Sequence, residues 1–188
     1  MAYLNLASIR LCTESEGPGK RLAIWVQGCE RRCPGCCNFD MQEIRKNIIV
    51  DAEDLIELIQ KSMSSEKIEG LSFIGGEPML QAEGLSEVAK WAHSVGLTVL
   101  VFTGYLYKEL IEMKNRSVDK LISNVDILVD GPFIQELYDD ERDWIGSKNQ
   151  AVHFLTKAYE SGIEFEKREH QMEVLISEKD ILVNGWPY

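Results

Sequence analysis

Segments typical of strands and helices alternate along this chain, and this alternation constrains the fold more than any other feature of the sequence. Short apolar runs typical of buried strands occur at 21–27, 71–74, 97–102 and 125–130. Helical periodicity separates these runs at 51–63, 85–95 and 105–113. Because strands that alternate with helices form right-handed βαβ units, the sequence predicts an α/β fold with a mainly parallel sheet or barrel.

The C-terminal part of the chain follows a different pattern. Apolar runs at 172–177 and 181–185 flank the turn-like segment 178–180, which predicts a β-hairpin. No repeat, low-complexity stretch or long linker divides the 188 residues. We therefore expect one domain over residues 1–188.

Composition and charge exclude several classes of protein. The chain is 45% hydrophobic and 27% charged, which is ordinary for a globular protein. A formal net charge of −11 argues against a general nucleic-acid binder, which normally presents a basic face. No apolar run approaches the roughly 20 residues of a membrane span, and the N-terminus lacks the pattern of a signal peptide. We expect a cytoplasmic protein, in which thiols stay reduced.

Four of the five cysteines lie within the segment GCERRCPGCCNFD, at 28–40. Cys29, Cys33 and Cys36 have the spacing CxxxCxxC, which lets one loop wrap a cubic iron–sulfur cluster while leaving one iron without a protein ligand. In a reducing compartment such a cluster of cysteines holds a metal group more often than it forms disulfides. A zinc site completed by Cys37 or Cys12 is the alternative.

Further polar and glycine-rich motifs follow the other predicted strands. Gly75 and Gly76 leave room for the backbone to approach a ligand, and Glu77 offers a carboxylate to a cationic amine, although a simple βα turn also fits GGEP. Thr103 stands where a ligand contact or a helix cap is expected. Asp130 ends the last predicted strand, and either a ligand contact or a turn accounts for an aspartate there. Sites in such folds gather at the carboxyl ends of the strands.

The chain resembles the radical S-adenosylmethionine superfamily, and within it the activating enzymes of glycyl-radical proteins, such as the activases of anaerobic ribonucleotide reductases. The resemblance is carried by the cysteine motif, by GGEP and by the segments 16–38, 72–80, 102–110 and 125–155. It implies an incomplete parallel β/α barrel with a core at about 16–155 and a C-terminal extension at about 156–188. Ile145 departs from the pattern, since the family has an arginine there.

The resemblance also implies the cofactors and the residues that bind them. A 4Fe-4S cluster is held by Cys29, Cys33 and Cys36, and S-adenosylmethionine binds to its open iron. Reductive cleavage of S-adenosylmethionine then gives a 5′-deoxyadenosyl radical, which abstracts a hydrogen atom. The residues expected to contact S-adenosylmethionine are Gly35, Cys36, Cys37, Gly75, Gly76, Glu77, Thr103 and Asp130.

The function expected from this resemblance is activation of a large partner enzyme by formation of a glycyl radical, with flavodoxin or ferredoxin as the electron donor. Two alternatives remain at this point. One is radical modification of a peptide or a small molecule. The other is a metal-binding interaction module without catalytic activity.

Overall fold

The computed structural model describes residues 2–166, 172–176 and 181–185. The strands of this part of the chain are β1 (Tyr3–Thr13), β2 (Arg21–Val26), β3 (Ile48–Asp51), β4 (Gly70–Gly75), β5 (Thr98–Phe102), β6 (Ile127–Asp130), β7 (Ala151–Phe154), β8 (Met172–Ile176) and β9 (Ile181–Gly185). Its α-helices are α1 (Ala52–Glu66), α2 (Ala82–Ser94), α3 (Tyr107–Glu112) and α4 (Arg116–Ile122). The predicted alternation of strands and helices is confirmed.

The main sheet has seven strands in the order β3-β1-β2-β4-β5-β6-β7. Its central strands β2, β4, β5 and β6 are parallel, and Val26 pairs with Gly75 where two of them end. Their carboxyl ends therefore lie at one edge of the sheet, together with the loops that follow them. This arrangement brings the cysteine segment and the GGEP segment side by side.

The outer strands of the sheet are antiparallel to their neighbours. The sequence patterns above predict neither these strands, β1, β3 and β7, nor helix α4. Strand β1 shows the hydrophobic alternation of a half-buried strand, because Leu4 and Leu6 are fully buried and Tyr3 is exposed. A short connection that contains Gly17 and Gly19, both with positive φ, turns the chain back into β2.

Helices α1 and α2 each bury an apolar face in the main core. The carboxylate of Asp51 accepts a hydrogen bond from the Asp54 backbone N–H at 2.9 Å, so the predicted cap of α1 is confirmed. Leu55 and Ile59 are on the buried face of this helix. Helix α2 contributes Leu85 and other buried residues to the same core. No helix in the described ranges is long and apolar enough to cross a membrane.

Strands β8 and β9 form a separate antiparallel pair, in which Met172 pairs with Gly185. Their positions agree with the apolar runs that predict strands there. The turn predicted at 178–180 lies outside the described residues. The pair lies beside the end of β1, because the backbone N–H of Gly185 donates to Glu16 and the backbone N–H of Glu14 donates to Glu173.

Candidate cluster and cofactor site

The cysteine segment begins directly after β2 and is fastened at its base. Gly28 has a φ of 99°, a conformation that favours glycine, and its N–H donates to the Met41 carbonyl at 2.8 Å. The N–H of Cys29 donates to the Gln42 carbonyl at 3.0 Å. These bonds close the segment into a loop, so that its cysteines stand over the carboxyl end of the sheet.

A cavity of about 350 Å³ lies under this loop. Four of the five cysteines line it, together with residues of the loops after β4 and β5. Of the predicted site residues, those on its wall are Cys29, Cys33, Cys36, Cys37, Gly75, Gly76, Glu77 and Thr103. Cys12 lies apart and packs against the main core. The structure thus brings together most of the residues that the sequence analysis predicts for one site.

The thiols of the loop differ in their electrostatic surroundings. A hydrogen bond from the Cys37 thiol lowers the pKa of Cys36 to about 6, and the same interaction raises the pKa of Cys37. Burial raises the pKa of Cys29, although hydrogen bonds from the Arg32 and Arg31 backbone oppose that effect. Thiolates are the form that binds metal, so Cys36 is more readily available as a ligand near neutral pH than Cys29 or Cys37.

The donor set fits an iron–sulfur cluster. Within the described residues no three His, Cys, Asp or Glu side chains converge on one point as ligands of a single metal ion. A 4Fe-4S cluster does not require this convergence, because each thiolate binds a different iron. Cys29, Cys33 and Cys36 line one cavity on a loop whose glycines Gly28 and Gly35 adopt positive φ.

The GGEP loop packs directly against the base of the cysteine loop. The N–H of Gly76 donates to the Val26 carbonyl at 2.7 Å, and the N–H of Glu77 donates to the Gly28 carbonyl at 2.8 Å. A Cβ atom added to Gly76 would lie 2.2 Å from the Gly28 carbonyl oxygen. Glycine at this position therefore permits the two loops to approach each other.

Glu77 joins the GGEP loop to the loop after β5. Its fully buried carboxylate accepts hydrogen bonds from the Met79 N–H at 3.0 Å, the Thr103 hydroxyl at 2.8 Å and the Gly104 N–H at 2.8 Å. Burial raises the pKa of Glu77, and these three donors oppose the rise. Glu77 and Thr103 thus hold each other in place at the cavity wall.

Two predicted contact residues do not line the cavity. Asp130 accepts hydrogen bonds from the Tyr107 N–H at 2.6 Å and the Ala151 N–H at 3.2 Å, so its carboxylate ties α3 and β7 to the end of β6. The neighbouring Gly131 does reach the cavity. A Cβ on Gly35 would lie 2.5 Å from Gln135 Oε1, which shows that this glycine packs closely against the loop after β6.

Other parts of the chain contribute wall residues that the sequence analysis does not identify. The aromatic side chains at the cavity belong to Trp25, Phe102, Phe133 and Trp144. The segments at the two ends of the chain contribute Ser8, Arg10, Ser15, Glu16, Val183, Asn184 and Gly185. Burial with loss of hydration raises the pKa of Glu16 to about 7, although Glu16 Oε1 accepts a hydrogen bond from the Gly185 N–H at 3.0 Å. The alternation of β1 does not identify Ser8 and Arg10, because the register of this strand shifts between Leu6 and Ser8.

Comparisons with known proteins agree with this site. Residues 15–153 match the family described as a 4Fe-4S single cluster domain. The anaerobic ribonucleoside-triphosphate reductase-activating protein of Vibrio cholerae is 35% identical over 155 residues, which cover 74% of this chain and 91% of that protein. The protein of the same name from Escherichia coli K12 is 32% identical over 146 residues, with the same two coverages.

More distant similarities extend the comparison. The activating protein of the same name from Enterobacteria phage T4 is 27% identical over 153 residues, covering 79% of this chain and 93% of that protein. Among solved structures, QueE from Escherichia coli has a TM-score of 0.45 and 17% identity, covering 54% of this chain and 52% of that chain. Because the family match and the bacterial relatives each cover most of the chain, the chain belongs to the family of anaerobic ribonucleoside-triphosphate reductase-activating proteins, which carry the 4Fe-4S single cluster domain.

Proposed function

We propose that this chain is a radical S-adenosylmethionine enzyme that activates an anaerobic ribonucleotide reductase by forming a glycyl radical on it. The observation that carries the proposal is the meeting of three cysteines, the GGEP loop and the loop after β5 in one cavity, in a chain of this family. The cofactors are a 4Fe-4S cluster and S-adenosylmethionine. When bound, they supply a strong one-electron reductant and a 5′-deoxyadenosyl radical that removes a hydrogen atom.

In this proposal Cys29, Cys33 and Cys36 hold the cluster through their thiolates. Their support is the CxxxCxxC spacing and their shared position on the cavity wall. Cys37 stays outside the ligand set and stabilises the Cys36 thiolate through its hydrogen bond. Three protein ligands leave one iron free for S-adenosylmethionine.

The proposed contacts to S-adenosylmethionine comprise Gly35, Cys36, Cys37, Gly75, Gly76, Glu77, Thr103 and Asp130. Support is strongest for the backbone of Gly75 and Gly76, which lies at the cavity beside the cysteine loop. Glu77 carries a buried carboxylate at the same wall and would compensate the charge of an ammonium group. Asp130 would act through the loops that it fixes, since it bonds Tyr107 and Ala151.

The remaining parts of the proposal concern the wider setting of the enzyme. The four parallel strands would form part of an incomplete β/α barrel with its core at about 16–155, in a single domain whose extension at about 156–188 ends in a β-hairpin. The partner is a large glycyl-radical reductase, in keeping with the names of the relatives. Flavodoxin or ferredoxin would supply the electron. The reduced thiols that the cluster needs agree with a cytoplasmic location.

Analysis of iron, acid-labile sulfide and S-adenosylmethionine cleavage tests the proposed chemistry. Anaerobically reconstituted protein should contain about four iron and four sulfide per chain and should cleave S-adenosylmethionine to 5′-deoxyadenosine when reduced. Replacing Cys29, Cys33 or Cys36 with alanine should remove the brown chromophore and lower cleavage at least about 100-fold, since each supplies one of only three ligands.

Cys12→Ala and Cys37→Ala are the matched controls. Cys12 packs away from the cavity and Cys37 is outside the proposed ligand set, so both variants should retain the chromophore. Loss of iron from Cys37→Ala together with its retention in Cys29→Ala would show that the ligand assignment is wrong.

A further inference from the structure

Several hydrogen-bond donors at the cavity have no partner within the described part of the chain. The buried side-chain atoms concerned are Arg10 Nε, Trp144 Nε1 and Asn184 Nδ2, and all three residues line the cavity. Leaving a buried donor without an acceptor costs about 1–3 kcal/mol, so native proteins seldom retain such groups unless a ligand or water satisfies them. The cavity is therefore suited to a ligand rich in acceptor oxygens.

These donors fall into two groups by their position in the chain. Trp144 lies within residues 15–153, which the family match covers. Arg10 on β1 and Asn184 on β9 lie outside that range. Neither belongs to the residues expected to hold the cluster or S-adenosylmethionine. Arg10 on β1 and Asn184 on β9 thus belong to a part of the cavity wall that the family match does not cover.

The position of Arg10 separates this wall from the cofactor residues. Arg10 pairs across the sheet with Ala23, in the middle of β2, whereas the cysteine loop begins after the end of that strand. Asn184 is 9% exposed and belongs to the separate strand pair, which Glu16 fastens through the Gly185 N–H. Among the described residues no carboxylate forms an ion pair with the Arg10 guanidinium.

We propose that Arg10 and Asn184 form a substrate subsite that binds backbone carbonyl oxygens of the peptide segment around the partner's radical-bearing glycine. This inference rests on the proposed function. A peptide segment offers a carbonyl acceptor at each residue, and it matches donors that come from two strands facing one cavity. Both residues bind substrate; neither takes part in the cleavage of S-adenosylmethionine.

Charge favours a neutral peptide over an anionic substrate at this wall. Glu16 lines the same cavity, and its pKa of about 7 leaves it partly ionised at neutral pH. An anionic substrate would lie near this carboxylate in a chain that carries a net charge of −11. Peptide carbonyls accept from Arg10 without adding negative charge to the cavity.

The test measures two dissociation constants in the anaerobically reconstituted holoenzyme, one for the full-length anaerobic reductase of the same organism and one for S-adenosylmethionine. In the double variant Arg10→Met/Asn184→Leu, the Kd for the reductase should rise about tenfold or more, as expected for loss of a charged hydrogen bond and a neutral one. The Kd for S-adenosylmethionine should stay within about twofold of wild type. Arg116→Met, which removes an exposed arginine on α4, should change neither value.

The other outcomes distinguish failure of the subsite from failure of the proposed function. Weaker binding of S-adenosylmethionine with unchanged reductase binding would assign the two residues to the cofactor site, and unchanged values for both would remove the subsite. If the double variant fails to fold, the single variants Arg10→Gln and Asn184→Leu apply the same criteria. A wild-type protein that binds the reductase without placing a radical on it would contradict the proposed function alone. No binding by the wild type would contradict both.

Discussion

At the scale of single residues, burial and hydrogen bonding decide how each polar group at the cavity behaves. Glu77 and Glu16 are both carboxylates on its wall, yet from described residues Glu77 accepts three hydrogen bonds and Glu16 accepts one, from Gly185. Desolvation raises the pKa of both side chains. Their different partners give them different expected effects on stability.

The stability of the cluster-free protein should depend on pH through Glu16. Its pKa rises from the usual 4.5 to about 7 in the folded protein, so the folded state retains a proton that the unfolded chain has already released between these values. The contribution of Glu16 to stability is therefore complete below pH 4.5, falls as the pH rises towards 7 and is constant above it.

Denaturant unfolding of wild type and Glu16→Gln across this range measures the effect. The decline in the free energy of unfolding that depends on Glu16 should amount to about 2 kcal/mol. A shift of one pKa unit corresponds to about 1.4 kcal/mol, and solvent around this half-buried side chain reduces the total. Glu16→Gln retains an acceptor for the Gly185 N–H and should lack this decline. Equal pH dependence in the two proteins would contradict the assigned pKa.

Glu77→Gln should destabilise the protein by about 2 kcal/mol. The substitution replaces one acceptor oxygen by an NH₂ group, which would face an N–H donor from Met79 or Gly104. Thermal or denaturant unfolding of the cluster-free protein measures the change, with exposed Glu87→Gln as control. A Glu77→Gln protein as stable as the control would show that the carboxylate does not join the two loops.

At the scale of secondary-structure elements, the loops after parallel strands could be predicted and the surrounding wall could not. Apolar runs such as 71–74 indicate buried strands, and the motifs that follow them necessarily meet at one edge of the sheet. The same reasoning does not predict β1 or β9 at the cavity, because their place depends on pairing and packing between segments far apart in sequence. Arg10 and Asn184 have no local pattern that identifies them.

The segment after β7 is fastened at the opposite end of the sheet from the cavity. Arg21, at the start of β2, is fully buried and donates to the Tyr159 hydroxyl at 3.0 Å, while Thr98 Oγ1 lies 2.7 Å from the same hydroxyl. Burial lowers the pKa of Arg21, and the Tyr159 hydroxyl opposes that effect. Tyr159 lies outside the family match, and these hydrogen bonds attach it to the central strands.

Tyr159→Phe should lower the free energy of unfolding by about 1–2 kcal/mol, since it removes one acceptor of a buried guanidinium and one partner of Thr98. Tyr3→Phe is the matched control, because the Tyr3 side chain is 67% exposed. Denaturant unfolding compares the two variants with wild type. Equal stability of both variants would mean that the segment is not fastened through this hydroxyl.

At the scale of the whole molecule, the sequence predicts which residues lie at the cavity better than it predicts the burial and the hydrogen bonds of each residue. Four of the cysteines line one cavity together with Gly75, Gly76, Glu77 and Thr103. Asp130 shows why the rest could not be predicted: its place at the end of β6 follows from the sequence, but its bonds to Tyr107 and Ala151 depend on how α3 and β7 pack. Ile145, where the resemblance implies an arginine, is buried in an apolar cluster.

Transfer of a hydrogen atom from the reductase tests the central claim most directly. The reconstituted protein, S-adenosylmethionine and a reductant are mixed anaerobically with reductase that carries α-deuterated glycine. Abstraction from a glycine Cα should give a carbon-centred radical signal on the reductase and 5′-deoxyadenosine that contains deuterium, because the bond that breaks is the Cα–D bond. Formation of 5′-deoxyadenosine without deuterium, and without any radical on the reductase, would contradict the account.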